Sequence, residues 1–208
     1  MNLRHAVLLG LVCTFLFQQD IKAATFTGTG VGAIPDGAST AVCNITSIGT
    51  PLAITFNVSG LTTPIENVGV EIELTHSSVG DLHAVLVAPN DAKVTLFGDT
   101  GQPAASGAAN VSGPYFFADN QTGNWWSAAA ANGSGTIPAG GYRSSGEATS
   151  AYTSFNTTFK DMAPAQANGT WVLKIADDCN GDVGSVTSAE LRINDASLPV
   201  RLQSYDVD

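Results

Sequence analysis

Two stretches of this chain alternate apolar and polar residues with a period of two. Val68, Val70, Ile72 and Leu74 are interleaved with Gly69, Glu71, Glu73 and Thr75. Trp171, Leu173 and Ile175 are interleaved with Val172, Lys174 and Ala176. That period puts alternate side chains on opposite faces of a half-buried strand, and a helix cannot use it. Each strand is followed by a turn, at Ser77–Asp81 and in an acidic Gly-rich run from Asp177, and then by a return strand. Helical signals are nearly absent, and Gly, Ser, Thr, Ala and Asn interrupt the chain every few residues. The pattern predicts strands near Thr25–Val31, Leu52–Val58, Val68–Thr75, Ala84–Ala88, Lys93–Gly98, Gly169–Ala176 and Ser185–Ile193. Spaced short strands with turn signals predict an all-β antiparallel two-sheet sandwich.

Between Asp99 and Tyr152 strand signals are few, and this 99–152 stretch reads as one long loop. Loops of that length are uncommon unless they carry function. It holds Tyr115 and the pair Trp125 and Trp126, candidates for stacking a ligand such as a sugar ring. The competing reading has these aromatics closing one end of the sandwich. Trp171 alternates with Leu173 and reads as core.

The first residues read as a secretory signal, residues 1–23. Arg4 stands before an apolar run from Ala6 to Phe17, with small residues at Ala23 and Ala24. The apolar run is shorter than the roughly 20 residues of a membrane span. The expected organisation is signal 1–23, one sandwich domain 24–194, and a C-terminal tail or extra strand 195–208. The expected location is secreted, extracellular or periplasmic, in a bacterial style. Charge is sparse, 12% of residues, and the net charge is −10. An acidic surface repels phosphate backbones and argues against nucleic acid as a partner. Cys43 and Cys179 remain once the signal is removed, an even pair in an exported chain. A disulfide is the default reading, two buried or free thiols the alternative.

The acidic turn carries the strongest local chemistry. Asp178, Asn180 and Asp182 are spaced D-x-N-x-D, with Asp177 beside them. Such a loop offers several oxygen ligands, and Ca²⁺ takes about 6–8. It is no EF-hand, because Ala189 stands where the bidentate Glu belongs. Asp81 in the Gly80-Asp81-Leu82 turn is a further candidate ligand. The competing reading is a solvated turn whose carboxylates accept backbone N–H bonds. His76, His83 and Asp81 near Ser77 and Ser78 do not make a catalytic triad by proximity, since triad members come from separate elements. No nucleophile-elbow pattern is present.

The run from His76 to Asn90, HSSVGDLHAVLVAPN, is followed by Gly141–Arg143, Phe155–Phe159 and then Gly169–Val186, GTWVLKIADDCNGDVGSV. In that order and spacing these segments resemble the P domain, or P/Homo B domain, found after the catalytic domain in kexin, furin and bacterial subtilisin-like convertases. The resemblance implies a jelly-roll-like, galactose-binding-like sandwich that packs on a subtilisin-like protease and serves its folding, stability and calcium response. It makes Asp81 a recurrent acid of the family. It implies a secreted, non-catalytic accessory module of a serine endopeptidase, acting in trans or standing alone, with no catalytic residue of its own. The alternative function is an extracellular recognition module that binds a glycan or another protein through the 99–152 loop.

Overall fold

The structure is a computed structural model and describes residues 24–38, 49–102 and 108–195. The signal segment 1–23, Cys43 and nearly all of the 195–208 tail lie outside the described residues.

Among the described residues the chain forms twelve strands in two sheets. The strands are β1 (Ala24–Thr27), β2 (Gly32–Ala33), β3 (Leu52–Val58), β4 (Val68–His76), β5 (Leu82–Val87) and β6 (Lys93–Gly98). They continue with β7 (Asn110–Ala118), β8 (Gly123–Asn124), β9 (Thr136–Ile137), β10 (Gly140–Arg143), β11 (Gly169–Asp177) and β12 (Gly184–Ile193). One sheet runs β1-β12-β4-β7-β10-β8, with β2 on β12 and β9 on β7; the other runs β3-β11-β5-β6. The fold is an all-β two-sheet sandwich. The smaller sheet is antiparallel throughout. The larger is mixed, because β9 and β10 pair parallel to β7 and β10 pairs parallel to β8. That departs from the all-antiparallel expectation. The chain between β7 and β10 turns through a helix before it returns, so β10 re-enters the sheet in the same sense as β7.

The period-two reading survives in the packing. Val68, Val70, Ile72 and Leu74 of β4 face Ile54, Phe56 and Val58 of β3 and Trp171, Leu173 and Ile175 of β11 within one buried core. A Val, Leu, Ile or Phe side chain so buried contributes roughly 1.5–3 kcal/mol. The outward residues of the larger sheet include Glu71 and Arg192, which pair, and Phe116, whose ring lies 5.0 Å beneath the Arg192 guanidinium.

The 99–152 stretch is not one long loop. It contains β7, the third strand from one edge of the larger sheet, and helices α1 (Trp125–Asn132) and then, beyond it, α2 (Phe155–Phe159) and α3 (Pro164–Ala167). β7 was hidden because Gly113 and Pro114 interrupt its alternation; Gly113 has φ +145°, a bend in the middle of the strand. Asn124 caps α1, its side chain accepting the Ser127 N–H at 2.7 Å.

The helix drives Trp125 inward. Its ring stacks on Phe97 at 5.0 Å and meets Tyr115, Phe117 and Tyr142 edge-on at 5.2, 5.2 and 5.1 Å. Trp125 Nε1 donates to Thr100 Oγ1 at 3.1 Å, and the Tyr115 hydroxyl donates to the Ile137 carbonyl at 2.9 Å. Both rings are buried, at 1% and 0% exposure. This corrects the stacking platform: Trp125 and Tyr115 present no ring face to solvent, and Trp126 is half-buried. Five aromatics of mixed geometry form a second packed nucleus instead of a sugar shelf.

Candidate functional site

Two connections change sheets at the same end of the sandwich. β4 leaves the larger sheet through a 3₁₀ turn at Val79–Asp81 and enters the smaller one as β5. β11 leaves the smaller sheet through the acidic turn and enters the larger one as β12. Register stacks the connections on each other. Leu82 pairs with Asp177 on one side, and His76 pairs with Gly184 on the other. The Asp178 N–H donates to the Asp81 carbonyl at 2.8 Å, which ties the two turns directly. A Cβ at Gly184 would sit 2.8 Å from His76 Cα, so only glycine permits this approach.

The side chains sort into two groups. In the first, His76 Nε2 faces Asp177 Oδ2 at 3.1 Å, both groups buried. Its Nδ1 faces the Ser78 backbone, 2.8 Å from the carbonyl oxygen and 3.1 Å from the N–H. Asp177 Oδ1 accepts the Cys179 N–H at 2.9 Å. Ser77 Oγ donates to Asp182 Oδ1 at 2.7 Å and accepts the Val183 N–H at 3.1 Å. Burial, only partly offset by a Ser78 hydrogen bond and reinforced by the charges of Asp182 and Asp177, pushes Asp81 up to about 6. Burial also raises Asp177, against the opposing pull of the Cys179 N–H and His76.

In the second group, His83 Nε2 lies 2.7 Å from Asp178 Oδ2 and 3.0 Å from Asp99 Oδ1. Burial works to lower His83. The Asp178 hydrogen bond and the charges of Asp178 and Asp99 outweigh it and raise the imidazole above its ordinary value. Asp178 is raised by burial, with His83 opposing and the adjacent Asp99 adding to the rise.

The five residues expected to ligate calcium therefore do not gather around one point. Asp177 and Asp178 are neighbours in sequence but point apart, the first to His76 and the second to His83. Asn180 is exposed, and Asp182 is half-buried on Ser77. Asp81, Asp177 and Asp182 remain close enough for the latter two to raise the first. Sequence reasoning missed Asp99, because it sits in a turn after β6 with no spacing relation to the acidic run. Its φ of +46° is the left-handed region, which Asp tolerates, and its carboxylate is buried against His83. His76 also departs from catalytic geometry. A serine protease needs the imidazole nitrogen remote from the carboxylate to face a hydroxyl. Here that nitrogen of His76 faces the Ser78 backbone, and the Ser77 hydroxyl turns to Asp182.

Comparison with known proteins reaches one part of this site. No curated protein matches the chain. Two crystal structures resemble it in outline, both of a serine protease of Aeromonas sobria. One, in complex with the chaperone ORF2, gives a TM-score of 0.40 at 18% identity, covering 83% of this chain and 27% of that one. The other, of the protease itself, gives 0.39 at 17% identity, with the same coverage. The chain thus spans about a quarter of the length of each of these structures. Among the described residues no helix is long and apolar enough to cross a membrane. Residues 65–127, which run from the approach to β4 into α1 and include His76, Asp81, His83 and Asp99, match the family model of the proprotein convertase P-domain.

Proposed function

We propose that this chain is an exported, non-catalytic P-domain-like module that stabilises a subtilisin-like serine endopeptidase. The observation that carries the reading is the P-domain match over residues 65–127, which includes the β4–β5 sheet-changing turn. The β11–β12 turn, beyond the matched residues, packs on that turn through the Asp178–Asp81 backbone bond. Export is supported by the signal-like start, Arg4 followed by the apolar run from Ala6 to Phe17 and the small residues Ala23 and Ala24. The Cys43–Cys179 bridge belongs to the same proposal and would join the acidic turn to a distant segment.

Calcium binding at the acidic turn is part of the proposal, with Asp81, Asp177 and Asp182 as the carboxylates. Their proximity is the support: burial is the main reason Asp81 is raised, the charges of Asp182 and Asp177 add to it, and a divalent ion would offset both. The partner is a subtilisin-like protease in trans or another extracellular protein. The glycan reading has lost the exposed rings that motivated it.

The test mixes the purified chain with the subtilisin-like protease encoded nearest to its gene. The expected result is a higher melting midpoint and slower autolysis of the protease, with no casein hydrolysis by the chain alone. Unchanged protease stability at saturating chain would refute the accessory role. Casein hydrolysis abolished by a serine-directed inhibitor that labels this chain would refute the non-catalytic one.

A further inference from the structure

We propose that His83, Asp99 and Asp178 bind a divalent transition ion of the zinc class, at a site separate from the Asp81 carboxylates. The three residues come from three elements: the second residue of β5, the turn after β6 and the turn after β11. Their ligand atoms all fall within 4.8 Å of one another, and each residue is buried, at 3%, 2% and 0% exposure.

Hydrogen bonding alone leaves this cluster unresolved. A single imidazole Nε2 carries at most one proton, yet two carboxylates approach it at 2.7 and 3.0 Å. One N–H cannot serve both well, and two buried carboxyl groups crowd one ring nitrogen. Two further atoms are buried without a hydrogen-bond partner, Asp178 Oδ1 and His83 Nδ1. Orphaned polar atoms of this kind are rare in folded proteins and point to a missing ligand.

A bound ion resolves each of these conflicts. It accepts the Nε2 lone pair and one oxygen from each carboxylate, and Asp178 Oδ1 becomes available as a second oxygen donor. The ring proton then resides on Nδ1, where Glu147 Oε1 stands 4.0 Å away. At that distance Glu147 is not hydrogen-bonded to the ring, and a closer approach on metal binding would make it the orienting carboxylate that metal-bound histidines usually have. Tetrahedral zinc bonds of about 2.0–2.2 Å place adjacent ligand atoms roughly 3.3–3.6 Å apart, wider than the 2.7 and 3.0 Å at Nε2 and inside the 4.8 Å that bounds the cluster, so binding would spread the two carboxylates away from the ring. The imidazole donor sets the ion class. Nitrogen with two carboxylates suits zinc and its neighbours, whereas calcium and magnesium take oxygen shells. The backbone supports the arrangement. Gly98 pairs with His83, and a Cβ there would sit 2.6 Å from Nδ1. A site so buried would be structural, fastening β5, β6 and the acidic turn together. It does not depend on the accessory role proposed above, and its test needs no protease.

The experiment uses the tag-free chain, stripped with chelator and dialysed, titrated calorimetrically with Zn²⁺ alone and, separately, with Ca²⁺ and Mg²⁺. The expected result is uptake of one zinc per chain and a raised melting midpoint that Mg²⁺ does not reproduce. Asp99→Asn and His83→Gln should lose that stoichiometric uptake, and Glu147→Gln should weaken it about 10–100-fold. Should the buried variants fail to fold, the native chain and Glu147→Gln, altered at a part-exposed side chain, still decide the matter. No zinc uptake by the native chain would overturn the proposal. So would uptake that survives Asp99→Asn unchanged, or calcium bound more tightly than zinc by the same residues.

Discussion

Replacing Asp81 by Asn should stabilise the cation-free protein at neutral pH. Asp81 is 5% exposed, and its carboxyl is pushed up from 3.8 to about 6. A native pKa above the unfolded one means that the folded state takes up the proton more readily. The charged form is therefore the destabilised one. Its penalty is fully present above about pH 7, shrinks as pH falls through 6, and is gone below 3.8. A rise of about two units corresponds to ~3 kcal/mol at 1.36 kcal/mol per unit. Asn is nearly isosteric, keeps an oxygen for the Ser78 hydrogen bond, and carries no charge. In a chain of this size ~3 kcal/mol is roughly a 6–12 °C rise in melting midpoint. The assay is denaturant unfolding of both proteins in chelator from pH 4 to pH 8. The variant's advantage should be greatest near pH 8 and vanish near pH 4. Calcium should narrow or reverse it, because the charged carboxylate then gains a cation. A variant no more stable than the native chain at pH 8 in chelator, or an advantage independent of pH, would show that the buried Asp81 carboxylate carries no such penalty.

Other substitutions probe the packing. Trp125→Ala should cost about 3–5 kcal/mol in denaturant unfolding, because it empties a buried aromatic nucleus; a change within 0.5 kcal/mol would restore the ring to the surface. Gly184→Ala should lower the unfolding free energy by about 1–3 kcal/mol through its collision with the Thr75 carbonyl and His76, whereas Gly60→Ala meets no atom within 4 Å at its Cβ and separates backbone strain at positive φ from collision. Thiol counting on the denatured, non-reduced protein should find no free thiol if Cys43 and Cys179 are bridged, and reduction should cost up to ~4–5 kcal/mol on the chain-entropy account. Two titratable thiols would remove the bridge.

What the residues determined on their own was whatever depends on near neighbours in the chain. The alternation in Val68–Leu74 and Trp171–Ile175 predicts strands, and β3 and β6 fall where the pattern puts them. The sandwich and the P-domain likeness were legible for the same reason, since both are written in local period and local turn chemistry. Legibility ended where geometry joins distant segments. β7 was missed because Gly113 and Pro114 break its period, although hydrogen bonds to β4 hold it in place. The aromatics of the 99–152 stretch looked like a surface feature until a short helix turned Trp125 inward onto Phe97. In the acidic turn, D-x-N-x-D spacing implied one shared centre. Successive residues leaving a strand project to opposite sides, so Asp177 went to His76 and Asp178 to His83. The grouping of His83, Asp99 and Asp178 could be decided only by tertiary structure. It depends on which strand lies beside which, and that follows from burying both sheets at once, a condition no single segment encodes.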